Sequence, residues 1–270
     1  MGEKLRTKKY SSICITTYYD KTFEKLGNIA LKSMEKYGKK FKIDVIRYER
    51  KLSNRPPAWN KILVVKELLK KYDFVIWMDS DAVFVRFDVD IRKEIKKGKD
   101  FYISLIEFNG KVVPNSGFFI TRRSKWSIDF LNRVWNKKEY IYHNYWENAA
   151  IIDLLGYESV LSRNKYKVLI NNFLHKTGTK VFFVNFLNAL RLSRFIYKLL
   201  DGFEAKQKET VSKSKHSMKK VKWLNRKWNS LPGKAKVPNA IVNHYPARSY
   251  EERLKKMSED LEKAGIKQYK

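Results

Sequence analysis

Cysteine is almost absent from the sequence, since Cys14 is the one cysteine among 270 residues. A single thiol excludes a disulfide framework within the chain and a zinc site built from cysteines. Cys14 stands in an apolar run, so we expect it to be a small core residue.

Long apolar segments are also missing. No window of 18 residues is free of charged side chains, which excludes an ordinary transmembrane helix. The first ten residues are polar and no apolar segment follows them, so no secretory signal is predicted. Arg6 stands where N-myristoylation requires Ser or Thr. These features predict a cytoplasmic protein.

Acidic residues are scarce relative to basic ones. The chain has 28 Asp and Glu against 58 Lys and Arg, which gives a formal charge of +30. Such a charge attracts nucleic acid, an acidic membrane surface or a phosphorylated small molecule. The alternative is a lysine-rich, solvated surface with no such partner. With 43% apolar residues, the chain is long enough for one large α/β domain with a substantial core.

Strands and helices alternate along the first 80 residues. Strands are predicted at 11–18, 41–48 and 74–78, and helices at 22–37 and 58–71. This order is typical of a doubly wound parallel sheet, whose ligands bind beyond the C-terminal ends of the strands. The third strand, FVIWM, is wholly apolar, as expected for a central strand covered on both faces, and it ends at Asp79.

The rest of the chain continues this pattern as a single predicted domain over 1–270. Further strands are predicted at 101–106 and 117–121, and helices at 124–136, 145–155, 181–203 and 249–264. The Lys- and Ser-rich segment 204–222 is predicted to be flexible.

The triplet Asp79-Ser80-Asp81 follows the third strand directly. In an extended segment, side chains two residues apart point to the same side, so both carboxylates can face one point. Two close carboxylates repel each other unless a cation lies between them, and oxygen ligands select Mg²⁺ or Mn²⁺. Such an ion keeps positions open for phosphate oxygens and stabilises a leaving diphosphate. A solvated turn is the alternative, but the preceding buried strand favours a metal site.

Six blocks of sequence then resemble one known family, in the family's order. They are WNK at 59–61, VIWMDSDAVF at 75–84, NSGFFITRRSKWSIDFL at 115–131, YWENAAIIDLL at 145–155, KWNSLPG at 227–233 and VNHYPARSYEERLKKM at 242–257. These blocks resemble the GT-A-fold glycosyltransferases that include fungal Golgi α-galactosyl- and α-mannosyltransferases and plant xyloglucan xylosyltransferases.

The resemblance implies a fold and a reaction. The fold would be α/β of the GT-A type, with a Rossmann-like, mostly parallel sheet flanked by helices. The reaction would transfer a sugar from a nucleotide diphosphate donor, with UDP favoured, and would retain the anomeric configuration. The acceptor would be a glycan, glycoprotein or glycolipid.

The resemblance also implies roles for individual residues. Asp79 and Asp81 would hold Mn²⁺ or Mg²⁺, with His244 as the remaining protein ligand. The residues implied to bind the nucleotide sugar are Thr16, Thr17 and Tyr18 at the base and ribose, Ser80 at the ribose or sugar, Lys61 at the diphosphate or base, and Asn115, Ser116 and Gly117 along the cleft for donor sugar and acceptor. Arg248 stands in a loop that departs from the family, and we expect it to take over a diphosphate contact. For Lys61 an exposed helix lysine is the alternative, and for His244 a loop histidine.

Glu147 and Asn148 are the implied catalytic pair. In a retaining enzyme of this kind, an acidic side chain beneath the anomeric carbon stabilises an oxocarbenium-like sugar. The alternative for Glu147 is an acid favoured by the positive end of a helix dipole. Asn148 stands where the family has Gln, and its side chain is one methylene shorter.

Residues 171–221 match none of these blocks and are predicted to be an insertion. The 181–203 helix has a wide apolar face and a narrow basic edge, and the lysine-rich segment 206–227 follows it. This pattern is typical of a helix lying on an anionic membrane, so we expect peripheral membrane association. The alternative is a helix packed on the core or a dimer contact.

Two other functions fit parts of the pattern. The basic charge and the paired acids also suit a metal-dependent nucleic-acid enzyme or binder, but the chain has no zinc finger or RRM signature, so no nucleic-acid partner is expected. A nucleotidyltransferase would carry a Gly-rich loop after the first strand, where this sequence reads TTYYDKTF.

Overall fold

A computed structural model describes residues 12–108, 111–143, 145–157, 173, 218–233 and 237–266. The predicted helix 181–203 and most of the predicted insertion 171–221 lie outside these residues. Among the described residues, no helix is long and apolar enough to cross a membrane.

The described strands form one large and one small sheet. In chain order they are β1 Ile13–Tyr18, β2 Asp44–Tyr48, β3 Phe74–Met78, β4 Ala82–Phe84, β5 Phe101–Phe108, β6 Lys111–Arg122, β7 Val221–Leu224 and β8 Val242–His244. The large sheet has the order β2-β1-β3-β6-β5-β7, and within it only β6 runs antiparallel to its neighbours. The mostly parallel α/β sheet predicted from the sequence is therefore confirmed.

Five described α-helices cover the two faces of this sheet. They are α1 Glu24–Phe41, α2 Asn60–Leu68, α3 Lys125–Asn136, α4 Trp146–Leu154 and α5 Tyr250–Lys263. Residues of α1 and α5 share one core cluster, and residues of α2, α3 and α4 share the other. Ile76 of β3 belongs to the first cluster and Val75 to the second, because successive strand side chains point to opposite faces. Cys14 is a buried core residue, as predicted.

Several predicted boundaries shift for local reasons. Helix α1 runs through to Phe41, so the strand predicted from residue 41 begins at Asp44. The predicted helix 58–71 opens with a 3₁₀ turn at Pro57–Trp59, and α2 follows it. The strand predicted at 117–121 is longer, because β6 pairs with β5 as a hairpin.

Three strands were not predicted from the sequence. Strands β4 and β8 pair with each other and span three residues each, which is too short for alternation to be visible. Strand β7 begins at Val221, inside the segment 204–222 that was predicted to be flexible. That prediction is wrong at its C-terminal end, because β7 pairs in parallel with β5 at the edge of the sheet.

Candidate active site

The end of β3 places Asp79 at the C-terminal edge of the sheet. The Asp79 backbone N–H donates to the Gly117 carbonyl at 2.8 Å, and the Ala82 N–H donates to the Asp79 carbonyl at 3.1 Å. Residues 79–81 therefore form a turn, and the extended geometry assumed from the sequence is wrong. The turn reverses the chain into β4 and keeps both aspartates at this edge.

His244 reaches the aspartates through the pairing of β4 with β8. Ala82 lies opposite His244 in the ladder, and the Tyr245 N–H donates to the Asp81 carbonyl at 3.0 Å. The His244 Nε2 atom lies 3.2 Å from Asp81 Oδ1 and 3.8 Å from Asp79 Oδ2. One ligand atom from each of the three residues lies within 4.8 Å of the others.

Asn229 selects the tautomer of His244. Its Nδ2 donates to the Asn115 carbonyl at 3.2 Å and to Asn115 Oδ1 at 2.8 Å, which turns its own Oδ1 toward the imidazole. His244 Nδ1 lies 3.0 Å from that oxygen, so Nδ1 carries the proton and donates it. When His244 is neutral, the lone pair of Nε2 then faces the aspartates, and when it is protonated, an Nε2–H faces Asp81 instead. Two carboxylate oxygens and an imidazole nitrogen are a donor set that fits Mn²⁺.

Gly117 gives the His244 ring its space. A β-carbon built on Gly117 would lie 2.1 Å from His244 Cε1 and 2.4 Å from Nδ1. From the sequence, Gly117 was expected only to line the cleft. In the structure, the close approach is made by the imidazole.

Lys61 is buried between two acids. Its side chain is 4% exposed, and Nζ lies 2.8 Å from Asp79 Oδ1 and 2.7 Å from Glu147 Oε1. The alternative of an exposed helix lysine is therefore wrong. Burial opposes the charge of Lys61, but Asp79 and Glu147 outweigh it and raise the pKa of the ammonium above its ordinary value. The predicted diphosphate ligand thus pairs with carboxylates in this structure.

Glu147 is 2% exposed and is held by only one of its oxygens. Oε1 accepts from Ser116 Oγ at 3.1 Å as well as pairing with Lys61. Oε2 is buried and has no hydrogen-bond partner among the described residues. Burial raises the pKa of Glu147 above its ordinary value, and Lys61 acts against that rise. A buried oxygen without a partner is costly, so a donor from a bound substrate would stabilise it.

Asn148 and Asn115 hydrogen-bond to the backbone of β6 beside Glu147. Asn148 Oδ1 accepts from the Ser116 backbone N–H at 2.9 Å, and Asn115 Oδ1 accepts from the Gly117 N–H at 3.0 Å. The short side chain of Asn148 thus holds β6 against α4.

Arg253 of α5 is the basic residue that the sequence did not reveal. Its Nη1 donates to Asp81 Oδ2 at 3.2 Å, and its guanidinium carbon lies 5.5 Å from the centre of the Phe23 ring. Burial acts to raise the pKa of the Asp81 carboxyl, but His244 and Arg253 outweigh it and hold that pKa below its ordinary value.

Arg248, the predicted diphosphate ligand, is held elsewhere. Its guanidinium donates to the Glu252 carboxylate and, at 2.6 Å, to the Pro232 carbonyl. Arg253 lines the cavity into which the two aspartates and Glu147 face, and Arg248 does not. The sequence does not show which arginine lines the cavity, because the direction of both side chains depends on how α5 packs.

A cavity of about 540 Å³ joins these groups. Such a volume is typical of small-molecule sites. Its lining includes most of the predicted site residues: Tyr18, Lys61, Asp79, Ser80, Asp81, Asn115, Ser116, Gly117, Glu147, Asn148 and His244.

Thr16 and Thr17 do not line this cavity, although both were predicted to border the nucleotide. Both are fully buried within β1, and Thr16 Oγ1 donates to the Ile46 carbonyl at 2.9 Å. The Thr16 hydroxyl therefore bonds to the neighbouring strand β2. Strand β1 lies between β2 and β3, and both threonine side chains are covered.

Trp146 is a cavity residue without a sequence signal. All seven tryptophans lie within the described residues, and Trp146 is the one that is exposed, at 43%. Its φ of 41° is a strained, left-handed conformation for a large side chain. The Trp146 N–H donates to the His143 carbonyl at 2.9 Å, which ties the turn that begins α4.

Comparison with known proteins gives partial matches. No family model matches the sequence. An uncharacterized alpha-1,2-galactosyltransferase of Schizosaccharomyces pombe is 25% identical over 150 residues, which cover 41% of this chain and 38% of that protein. Xyloglucan 6-xylosyltransferase 1 of Arabidopsis thaliana is 31% identical over 84 residues, 27% of this chain and 18% of that protein. The matches thus span well under half of each relative's length.

One solved structure matches almost end to end. It is a glycosyltransferase involved in the glycosylation of the major capsid of PBCV-1, with a TM-score of 0.54 and 13% identity over 91% of this chain and 98% of that one. This match shows a shared fold. The predicted resemblance is confirmed: the curated relatives are glycosyltransferases, and the sheet and helices have the GT-A arrangement.

Proposed function

We propose that this chain is a metal-dependent glycosyltransferase that moves a sugar from a nucleotide diphosphate donor, with UDP-sugars favoured, to a glycan acceptor with retention of configuration. The observation that carries the proposal is the convergence of Asp79, Asp81 and His244 in the same cavity as the buried Glu147. The names of the curated relatives support the same reaction class.

Three side chains of this chain are placed to bind the divalent ion. Asp79 Oδ2, Asp81 Oδ1 and His244 Nε2 are the atoms that would bind Mn²⁺ or Mg²⁺. When bound, such an ion neutralises charge on the leaving diphosphate as a Lewis acid. Asn229 keeps the His244 ring in the ligating tautomer.

Glu147 is the residue proposed to act on the transferred sugar. Its Oε1 is fixed by Lys61 and Ser116, which leaves Oε2 to face positive charge or a hydroxyl of the sugar. A fixed carboxylate in a site that excludes water stabilises an oxocarbenium-like sugar more than a mobile one does. Tyr18, at the end of β1, is proposed to border the nucleotide.

A donor screen tests this proposal. The protein is incubated with Mn²⁺ and each common UDP-, GDP- or dTDP-sugar, and the released nucleoside diphosphate is measured with and without EDTA. We expect turnover with one donor class and its loss on chelation. NMR of the product anomer then tests retention. No release from any donor, in the presence of simple glycan acceptors, would count against the assignment.

A further inference from the structure

Each of the two aspartates is held on one oxygen by a basic side chain. Asp79 Oδ1 lies 2.8 Å from Lys61 Nζ and accepts from Trp77 Nε1 at 2.6 Å. Asp81 Oδ2 accepts from Arg253 at 3.2 Å. The other two oxygens, Asp79 Oδ2 and Asp81 Oδ1, are the ones that face His244 Nε2. Each carboxylate therefore has an outer oxygen used by the protein and an inner oxygen left for a ligand.

The charges of Lys61 and Arg253 also affect the affinity of the site for a cation. Lys61 is 4% exposed and Arg253 is 19% exposed, so solvent screens their charges poorly. They offset much of the negative charge of the carboxylates and repel a bare divalent ion. An ion that carries a diphosphate brings negative charge, which both cations attract.

Arg253 has capacity for such an anion. Its Nε is buried and has no hydrogen-bond partner among the described residues, and the side chain lines the cavity. A guanidinium has five N–H donors in a planar fork that matches phosphate oxygens. One of these donors is used on Asp81.

We infer that Lys61 and Arg253 are positioning residues that make this site bind a metal–diphosphate complex in preference to the bare ion. They orient the inner oxygens of Asp79 and Asp81 and couple the binding of metal to the binding of nucleotide. This inference rests on the proposed function and adds how its donor is recognised. A purely structural ion pair would stabilise the fold but would leave that coupling unchanged.

Calorimetric titration measures the coupling directly. Mn²⁺, UDP, GDP and dTDP are titrated singly, and each nucleotide is then titrated at saturating Mn²⁺. In the unaltered protein we expect Mn²⁺ to strengthen binding of one nucleotide by about tenfold or more. In Arg253→Met and Lys61→Met we expect the enhancement to fall to about threefold or less. The affinity for Mn²⁺ alone should stay the same or increase, because a repelling charge is gone.

Matched controls use basic residues outside the cavity. Arg133 on α3 and Lys70 after α2 are exposed, and Arg133→Met and Lys70→Met should keep the full coupling. Should Lys61→Met fail to fold, Lys61→Met combined with Glu147→Gln removes a buried cation together with one buried carboxylate. Loss of coupling is still expected in that variant.

The outcomes separate the two levels of the proposal. If the unaltered protein shows no effect of Mn²⁺ on any of the three nucleotides, the proposed function itself fails. If it shows strong coupling and Arg253→Met retains it, the function stands and this inference is overturned.

Discussion

Buried acidic residues pair with basic side chains at both ends of the strands of the large sheet. The two sites differ in how exposed the basic partners are. At the edge where β5 begins, Asp100 is 2% exposed and lies 3.5 Å from Arg122 and 3.3 Å from Lys220. These cations reach in from solvent, with side chains 46% and 43% exposed. At the edge where β3 ends, the cation between the acids is Lys61, which is 4% exposed.

The comparison shows that a buried ion pair does not by itself mark a functional site. Asp100 is a single acid that the chain satisfies with solvated partners. At the other edge, Asp79, Asp81 and Glu147 converge with His244 on one cavity, and one buried Glu147 oxygen has no partner in the part of the chain that the structure describes. Several acids that converge on a cavity, with the buried Lys61 and the partly buried Arg253 paired to them, distinguish a functional site from a stabilising ion pair. The following changes test that distinction.

The largest contrast is expected between Asp81→Asn and Asp100→Asn. Asp81→Asn removes an anionic metal ligand and should lower turnover by about 1,000-fold or more, since metal assistance supplies several kcal/mol. Asp100→Asn should leave turnover of the folded protein unchanged. Steady-state release of nucleoside diphosphate checks both, and equal activity in the two variants would remove the basis of the comparison.

Gly117→Ala is expected to weaken Mn²⁺ binding by about 100-fold, because its β-carbon would overlap the His244 ring and displace Nε2 from the aspartates. The matched control is Gly98→Ala, near Asp100. Gly98 has φ +79°, and a β-carbon built there would have no atom of the described residues within 4 Å. There we expect a loss of about 1 kcal/mol of stability from strain and no change in Mn²⁺ affinity. Mn²⁺ titration followed by EPR measures the difference.

Low pH is expected to lower the stability of the folded protein through protonation of His143. Burial lowers the pKa of His143 to about 4, and its Nδ1 accepts from the Tyr145 N–H at 3.1 Å. The unfolded chain binds a proton near pH 6.5 and the folded chain does not, so stability is full above pH 6.5 and falls toward pH 4. The loss should reach about 3 kcal/mol. Urea unfolding between pH 4 and 7 measures it, and His143→Asn should show a flatter pH dependence.

Asn229→Ala should weaken Mn²⁺ binding by about 10- to 100-fold, because His244 Nδ1 loses the acceptor that fixes its tautomer. Asn225→Ala is the control from the same loop. Asn225 Oδ1 accepts from the Lys227 N–H at 3.0 Å, whereas it is Asn229 that contacts the imidazole. Equal Mn²⁺ affinities for the two variants would show that the tautomer of His244 is set in another way.

The smallest effect is expected for stability at the Asp100 edge. Asp100→Asn should lower the free energy of unfolding by about 1 to 2 kcal/mol, because a buried charged acceptor is exchanged for a neutral one. Added salt should reduce this difference, since Arg122 and Lys220 are solvent-exposed. Denaturant unfolding at two salt concentrations measures it. A loss that salt does not change would mean that Asp100 is isolated from solvent like Lys61.

Local patterns predicted the elements that have strong periodicity or a long apolar run. The buried strand before Asp79 and the helices of both layers followed from side-chain spacing, because burial of an apolar face imposes that spacing. The blocks at 75–84, 115–131 and 242–257 indicated the two aspartates, the Asn115–Gly117 segment and His244. Thr16 and Thr17 lie outside the cavity, which the sequence does not show because strand alternation cannot tell an exposed strand end from a covered one.

By itself, the sequence determined the class of the fold and the acids at the end of its third strand, because these depend on order and periodicity along the chain. Only the tertiary structure decided which atoms face each other. The pairing of β4 with β8 brings His244 to the aspartates, the packing of α2 buries Lys61 between Asp79 and Glu147, and the position of α5 selects Arg253 over Arg248. These contacts join residues far apart in the chain, and their geometry depends on packing, which no local pattern encodes.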